Sequence, residues 1–494
     1  MAGVDMDRLG KHEFVVVADR LPVDQVRGAD GVVDWQRSPG ALASALHPVV
    51  AARRGAWVGW GGLADAIATP FSSDTMWLYP VSLSAQEVED HHEGQCGSTI
   101  APLYHDALAS PAFHRRWREA YRQVNQRYAQ TVANVAAPGS VVWVQGYQLQ
   151  LVPAMLRRLR SDLLIGFLLD SPFPPIELYL RMPLRTEVMK GLLGADLIGF
   201  QRPRAAENFL TLARHLLGLQ ASGGQIEVTG RRVHTGTFPI SINIEEIEAL
   251  SMDPAVRSRA VGVRTELRDP RAVLLAVDRL DHAKGIEQRL AAYGRLLDDG
   301  DLDPARTVLI QIAAPSRHSS ARSRQLRKQV ERQIAELNGR YGGVGRPVVH
   351  YLHGTLSRAE LVAYYLAADV MLATPLRDGM SLTAKEYVAA RGDDSGALVL
   401  SEFTGAAADL PHAFVVNPHD TNATMQAMLG ALNTEPAMLR HRMRQMREDV
   451  RAYTVHHWAG RFLAAIGECA AAPGRQRVPR PAGQQSRSPV VGNR

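Results

Sequence analysis

Two glycine-bearing corners of the chain place basic side chains at the end of an apolar run. The first reads LLAVDRLDHAKGIEQRL; it ends a strand-length run with Arg279 and sets Lys284 immediately before Gly285. The second reads VMLATPLRDGMSLTAKEY, where Gly379 precedes a segment of helical spacing that carries Lys385 and Glu386 side by side. Lysine is rare here: only Lys11, Lys190, Lys284, Lys328 and Lys385 stand among 56 basic residues, so a lysine inside a turn carries weight. Fixed cations at a strand end suit a diphosphate leaving group, whose charge grows as its bond to a sugar breaks. Gly379 would let a phosphate approach the free N–H groups that open the next helix, and Glu386 lies where a carboxylate can accept from ribose hydroxyls. Each corner alone also reads as a glycine turn with solvated charges. Two of them in one half of the chain make that reading poor.

Further basic positions follow other apolar runs: Arg317 in QIAAPSRHSS and Arg20 in VVVADRLPVD. Gly40, in RSPGALASAL, is another candidate for close backbone approach. Neither a dinucleotide-binding GxGxxG nor a P-loop occurs, and neither HExxH nor paired CxxC does, so no cofactor and no metal is expected. With only Cys96 and Cys469, neither a disulfide framework nor a cysteine-ligated metal site is expected, which fits a reducing cytoplasm. The first residues lack an apolar signal core, so a cytoplasmic location is expected, and no apolar stretch approaches the ~20 residues of a membrane span.

The elements that must position these residues are legible as continuous apolar runs. In the first half they are 14–18, 141–145, 164–169 and 197–200; in the second, 272–277, 308–314, 348–352, 370–374, 397–401 and 414–416. Unbroken rather than alternating hydrophobicity predicts strands covered on both faces, hence parallel sheets in an α/β protein. Amphipathic stretches lie between them, and Ser357 with Glu360 forms a capping-box pattern that opens one helix. Two doubly wound halves, 1–238 and 239–451, are predicted to meet at a hinge near 237–243, followed by a last amphipathic helix over 452–470. Ligands of such sheets sit beyond the carboxyl ends of the strands, so the cleft between the halves is the expected site. The segment 471–494 is rich in Pro, Gly, Ser and Gln and is expected to be disordered. Its five arginines account for all but one unit of the +6 net charge, and no basic stripe with aromatics argues for nucleic acid.

The chain resembles the trehalose-6-phosphate synthase family of glycosyltransferases over about residues 12–470. The matching motifs are RLP, SPGALASAL, WVQGYQLQLVP, GFLLDSPFPPIELY, LIGFQ, FPISI, VDRLDHAKGI, APSR, TPLRDGMSLTAKEY and LVLSEFTGAA. The resemblance implies a GT-B fold, two Rossmann-like domains facing across a cleft, with an acceptor domain first and a nucleotide-sugar domain second. It implies retaining, metal-independent transfer from a nucleoside-diphosphate sugar to a small acceptor, possible homo-oligomers, and neither nucleic acid nor membrane as partner. Arg279, Lys284 and Asp378 take the catalytic positions. The nucleotide sugar is expected against these and against Gly40, Ala41, Leu356, Gly379, Met380, Ser381, Leu382, Thr383, Ala384, Lys385 and Glu386. The acceptor is expected against Arg20, His92, Ala101, Gly146, Asp170, Ser171 and Arg317.

Several of these positions depart from the family pattern. Gly146 stands where the family has an aspartate, and Asp170 and Ser171 stand where it has histidine and isoleucine. His92 and Ala101 replace a tyrosine and a tryptophan, Ala41 a glycine, and Ser381 an asparagine. The donor half is nearly intact while the acceptor half is rebuilt. The departures favour a different acceptor: a nitrogen or sulfur nucleophile in an antibiotic pathway, partly positive and paired with Asp170. An ordinary trehalose-6-phosphate synthase and a catalytically silent regulatory paralogue are the two alternatives.

Overall fold

The continuous apolar runs settle as the inner strands of two parallel sheets. In the computed structural model, which describes residues 11–28, 33–38, 40–106, 110–315 and 321–471, all ten predicted strands are present, several with the bounds read from sequence. Arg317 and the segment 472–494 lie outside the described residues. The first sheet has ten strands in the order Ala221–Ser222, Gln225–Val228, Arg231–Thr237, Leu197–Phe200, Leu164–Leu168, Ala136–Gln145, His12–Arg20, Ala56–Trp60, Met76–Pro80 and Phe71–Ser73. Antiparallel pairing is confined to its two edges. The second sheet has six strands, all parallel, in the order Val349–His353, Thr307–Ala314, Ala272–Arg279, Val370–Ala373, Ala397–Ser401 and Phe414–Val416.

Each sheet reverses its winding once. In the first, the chain leaves His12–Arg20 toward Ala56–Trp60 and later returns to its other side with Ala136–Gln145. In the second, Ala272–Arg279 has Thr307–Ala314 on one side and Val370–Ala373 on the other. Ligands of open α/β sheets bind outside the carboxyl ends of the strands at such switch points. Arg20 ends one strand of the first switch and Gly146 follows the other; Arg279 ends one strand of the second and the TPLRDGM corner follows the other. This architecture is a GT-B fold, two Rossmann-like domains with a cleft between.

The last helix, Val455–Ala471, crosses back to the first domain. Trp143 of the first sheet meets Trp458 edge-on at 5.1 Å and Phe462 at 4.5 Å. Gly166 and Gly199 make room for this helix: a side chain on Gly166 would fall 2.4 Å from Ile466. The hinge is fastened by the same helix, because the Trp458 indole N–H donates to the Phe238 carbonyl at 3.2 Å and the Val455 N–H to that of Ile242 at 2.9 Å. Among the described residues no helix is long and apolar enough to cross a membrane.

Candidate active site

On the donor side, Asp281 opens a short 3-10 turn, His282–Lys284, by accepting from the Ala283 N–H at 3.0 Å. Gly285 then turns left-handed, φ +65°, and any side chain there would lie 2.5 Å from the Thr374 carbonyl. Glycine is therefore required where the lysine corner packs against the second corner. Lys284 reaches across to Asp378, Nζ to Oδ2 2.7 Å, and Asp378 also accepts from the Ser381 hydroxyl at 2.9 Å and the Gly379 N–H at 2.8 Å. Burial works against the Asp378 charge, yet Lys284 and the hydroxyl hold its carboxyl below the usual range. Ser381 itself sits at φ +63° as it opens the helix Leu382–Ala390. A non-glycine residue held left-handed is strained, and such strain collects at ligand clamps.

Arg279 ends its strand exposed to the cleft and forms no ion pair among the described residues. Beneath the corner, Arg289 is fully buried and donates to Asp278 at 2.7 Å, to the Leu372 carbonyl at 2.8 Å and to the Lys284 carbonyl at 3.1 Å. It ties both switch-point strands to the backbone of the lysine. The sequence reading overlooked it, since one arginine among many inside an amphipathic helix carries no local signal.

The remaining donor positions divide by environment. Gly40 caps the helix Ala41–Ala52, and Leu356 lies half-buried before the helix Arg358–Ala367. Met380 and Ala384 are buried; Leu382 and Thr383 are half-buried. Lys385 turns away from the cleft, pairing with Asp409 at 2.7 Å and donating to the hinge carbonyl of Ile240 at 3.1 Å. Glu386 is buried against the Arg358 guanidinium at 3.0 Å and the Tyr365 hydroxyl at 3.1 Å. The pair that reads as adjacent in sequence thus serves two different partners.

On the acceptor side, Arg20 pairs with Asp24 and lies 4.7 Å over the Trp60 ring. Gly62, at φ +91°, leaves the space its guanidinium occupies. The opposite part of the pocket is a π-helix, Val88–Ile100, that carries His92, followed by the short helix Ala101–Tyr104. His92 stacks on Trp60 at 4.8 Å with its Nδ1 3.4 Å from Asp19. Gly146 has φ +91°, and a side chain built on it would start 3.6 Å from Asp170 Oδ1. Ser171 is buried beside it.

The two sides touch. A side chain on Gly379 would fall 1.9 Å from the Asp170 carbonyl oxygen, so the donor corner lies directly on the segment that follows Leu164–Leu168. Arg202 of the first domain donates to the Gly405 carbonyl of the second at 3.0 Å. Tyr147, another residue the sequence reading passed over, has its hydroxyl raised first by burial; Cys96, Asp281 and Asp170 add to this while Arg279 opposes it. Groups from both switch points therefore act on one phenol. Asp281 is pushed down to about 2: burial opposes its charge, but Arg279 and His105 outweigh it. Next to these, a 260 Å³ cavity between the domains is lined by His105, His282, Arg322, Arg377 and Phe403 among others.

Comparison with known proteins matches residues 12–468 to Glycosyltransferase family 20. The chain is 51% identical over 468 residues to the trehalose-6-phosphate synthase of Mycobacterium sp. (strain KMS), covering 93% of this chain and 96% of that protein. It is 51% identical over 478 residues to the trehalose-6-phosphate synthase of Mycobacterium leprae, covering 94% of this chain and 96% of that protein. Among solved structures, the UDP-forming alpha,alpha-trehalose-phosphate synthase of Burkholderia xenovorans in complex with glucose-6-phosphate aligns with a TM-score of 0.85 at 28% identity, over 92% of this chain and 100% of that one. The E. coli protein bound with UDP-2-fluoro glucose aligns with a TM-score of 0.82 at 28% identity, over 92% and 98%.

These relatives overturn the expectation of a nitrogen or sulfur acceptor in an antibiotic pathway. Half of all positions are shared, along nearly the full length, with proteins named for trehalose-6-phosphate synthesis. Gly146 and Asp170 weigh as two separate losses when taken along the chain. In the fold they are neighbours, and the carboxylate absent from one position is present beside it.

Proposed function

Because the chain belongs to glycosyltransferase family 20, the trehalose-6-phosphate synthase family, we propose that it transfers glucose from a nucleoside-diphosphate glucose to glucose 6-phosphate, yielding trehalose 6-phosphate and a nucleoside diphosphate. It is a glycosyltransferase, and the finer assignment of donor and acceptor rests most directly on the full-length identity to proteins of that name. The residues supply the parts. Arg279 and Lys284 offer two fixed cations to the diphosphate as its bond to the anomeric carbon breaks. They supply there the charge that a divalent ion would otherwise supply. Asp378, held ionised by Lys284, faces the same corner and is suited to fixing hydroxyls of the transferred sugar.

The acceptor phosphate is assigned to Arg20 on the Trp60 ring, with Arg317 expected from the motif APSR as a second contact. Asp170 is assigned the hydroxyl-orienting role for which position 146 has no side chain. As the new C–O bond forms, the acceptor hydroxyl passes its proton to the leaving phosphate oxygen, so no separate base is required and the configuration at the anomeric carbon is kept. The closed contact between Gly379 and Asp170 excludes water from the reacting atoms.

The test is mass spectrometry of the product from purified enzyme given glucose 6-phosphate and, in separate arms, UDP-, GDP- or ADP-glucose. A phosphorylated disaccharide released with stoichiometric nucleoside diphosphate is expected in at least one arm. Donor binding by thermal shift in any arm, with no disaccharide in all of them, would overturn the acceptor assignment.

A further inference from the structure

We propose that Asp19, His91, His92 and Cys96 form a metal site beneath the acceptor pocket, and that zinc is the ion it suits. All four side chains are buried: His91 and Cys96 are 0% exposed, His92 4% and Asp19 8%. One ligand atom from each of Asp19, His91 and His92 falls within 4.8 Å of the others, the one such group among the described residues. The fourth donor adjoins it, with Cys96 Sγ 3.9 Å from His91 Nε2.

The fold explains how these residues meet. His91 and Cys96 are five apart, a spacing that an α-helix of 3.6 residues per turn would splay by about 140°. The segment Val88–Ile100 is a π-helix, whose repeat sets residues five apart on one face. Asp19 arrives separately, from the carboxyl end of His12–Arg20. No local pattern of cysteine and histidine announces such a site, which is why the motif reading expects no metal.

Two of the ligand separations and the charge fit such an ion. Bonds of about 2.0 Å to nitrogen or oxygen and about 2.3 Å to sulfur place tetrahedral N/O ligands about 3.3 Å apart, and nitrogen about 3.5 Å from sulfur. The His92 Nδ1 to Asp19 Oδ1 separation is 3.4 Å and the His91 to Cys96 separation 3.9 Å, both within a few tenths of an ångström of those edges. Two neutral imidazoles, a carboxylate and a thiolate cancel the charge of a divalent ion, so the filled site is neutral in its buried setting. This nitrogen, oxygen and sulfur set selects zinc over the hard ions magnesium and calcium. On binding, the Cys96 thiol yields its proton to solvent as the metal–sulfur bond forms.

The ion would act by position. It would lock His92, which stacks on Trp60, and Arg20 in turn lies over the Trp60 ring, so it would set the height of the guanidinium at the acceptor mouth.

The experiment uses untagged full-length protein purified from zinc-supplemented culture. Elemental analysis is expected to give stoichiometric zinc, and chelator-stripped protein to take it back with proton release and a raised Tm. Cobalt in its place should show a thiolate charge-transfer band that disappears in Cys96→Ser while the visible ligand-field bands of bound cobalt persist. Wild-type protein carrying far less than stoichiometric zinc, and failing to compete with a chromophoric chelator, would overturn the site whether or not the variant folds. Cobalt binding without the charge-transfer band would overturn it as well, by removing Cys96.

Discussion

At the scale of single residues, the donor corner turns on two cations in unequal settings. Lys284 is already paired with Asp378, whereas Arg279 faces the cleft with its charge uncommitted to any ion pair among the described residues. Replacing either by alanine is expected to cost about 2–4 kcal/mol of transition-state stabilisation, the range for a preorganised donor to developing charge. Steady-state kinetics within a factor of about two of wild type would remove both from the reaction. Asp170→Asn tests the acceptor side differently: kcat/KM for glucose 6-phosphate should fall while thermal shift by the donor stays unchanged. Asp281 offers a pH test. Its folded carboxyl lies at about 2 against an ordinary 3.8, so it contributes stability that is present above pH ~4 and lost as pH falls toward ~2, about 2 kcal/mol in all. The Tm difference between wild type and Asp281→Asn should therefore be widest above pH ~4 and shrink steadily below it. A difference that holds constant through that window would show that the carboxylate draws nothing from Arg279.

Residues of this kind were legible in unequal measure. Arg279 and Lys284 stood out because lysine is scarce and both follow apolar runs, a signal that lies within one stretch of chain. The nearness of Gly146 to Asp170 depends on strands that are neighbours only in the sheet, and that of Asp19 to His91, His92 and Cys96 on a strand end that meets a π-helix. Lys385 and Glu386, side by side in sequence, bond to the hinge and to Arg358 respectively, a divergence that only the fold displays.

At the scale of elements, strands buried on both faces were readable from their unbroken apolar runs, and the strand bounds of 197–200, 397–401 and 414–416 agree with the structure. Ala56–Trp60 and Met76–Pro80 were not recognised, although both are short apolar runs. The π-helix was also missed: VEDHHEGQCGSTI has neither helical nor strand periodicity, and its burial comes from the neighbours that surround it. The junction at Gly285 gives the prediction for this scale. Gly285→Ala must hold a left-handed φ of +65° and press on the Thr374 carbonyl. The strained backbone alone costs on the order of 1–3 kcal/mol. The variant should melt lower than wild type and lose turnover disproportionately, because relief of the clash moves Lys284 away from Asp378. Lower Tm with unchanged kcat would show that the corner tolerates the shift.

At the scale of the whole molecule, catalysis depends on how the two sheets are held face to face, and the holding is done from the far end of the chain. The helix Val455–Ala471 inserts Trp458, Phe462 and Ile466 against the first domain while bonding the hinge backbone at Phe238 and Ile242. Lys385 fastens the same hinge from the second domain through the Ile240 carbonyl. Removing the Trp458 side chain leaves a large void in a fully buried position and the Phe238 carbonyl without its donor. A loss of about 3–5 kcal/mol follows from the cavity, with the lost hydrogen bond adding to it. Trp458→Phe keeps most of the volume but not the N–H, so it separates the two effects. If the indole only fills space, Trp458→Phe should match wild type in both stability and rate. If the hydrogen bond sets the hinge, Trp458→Phe should keep most of the stability yet lower kcat. Solution scattering with saturating donor should then show a wider average separation of the domains, since Gly379 packs so closely on the Asp170 carbonyl that a side chain there would fall 1.9 Å from it, leaving no slack for a tilted hinge. Unchanged scattering and unchanged turnover in Trp458→Phe would reduce the helix to packing and return control of closure to the cleft itself.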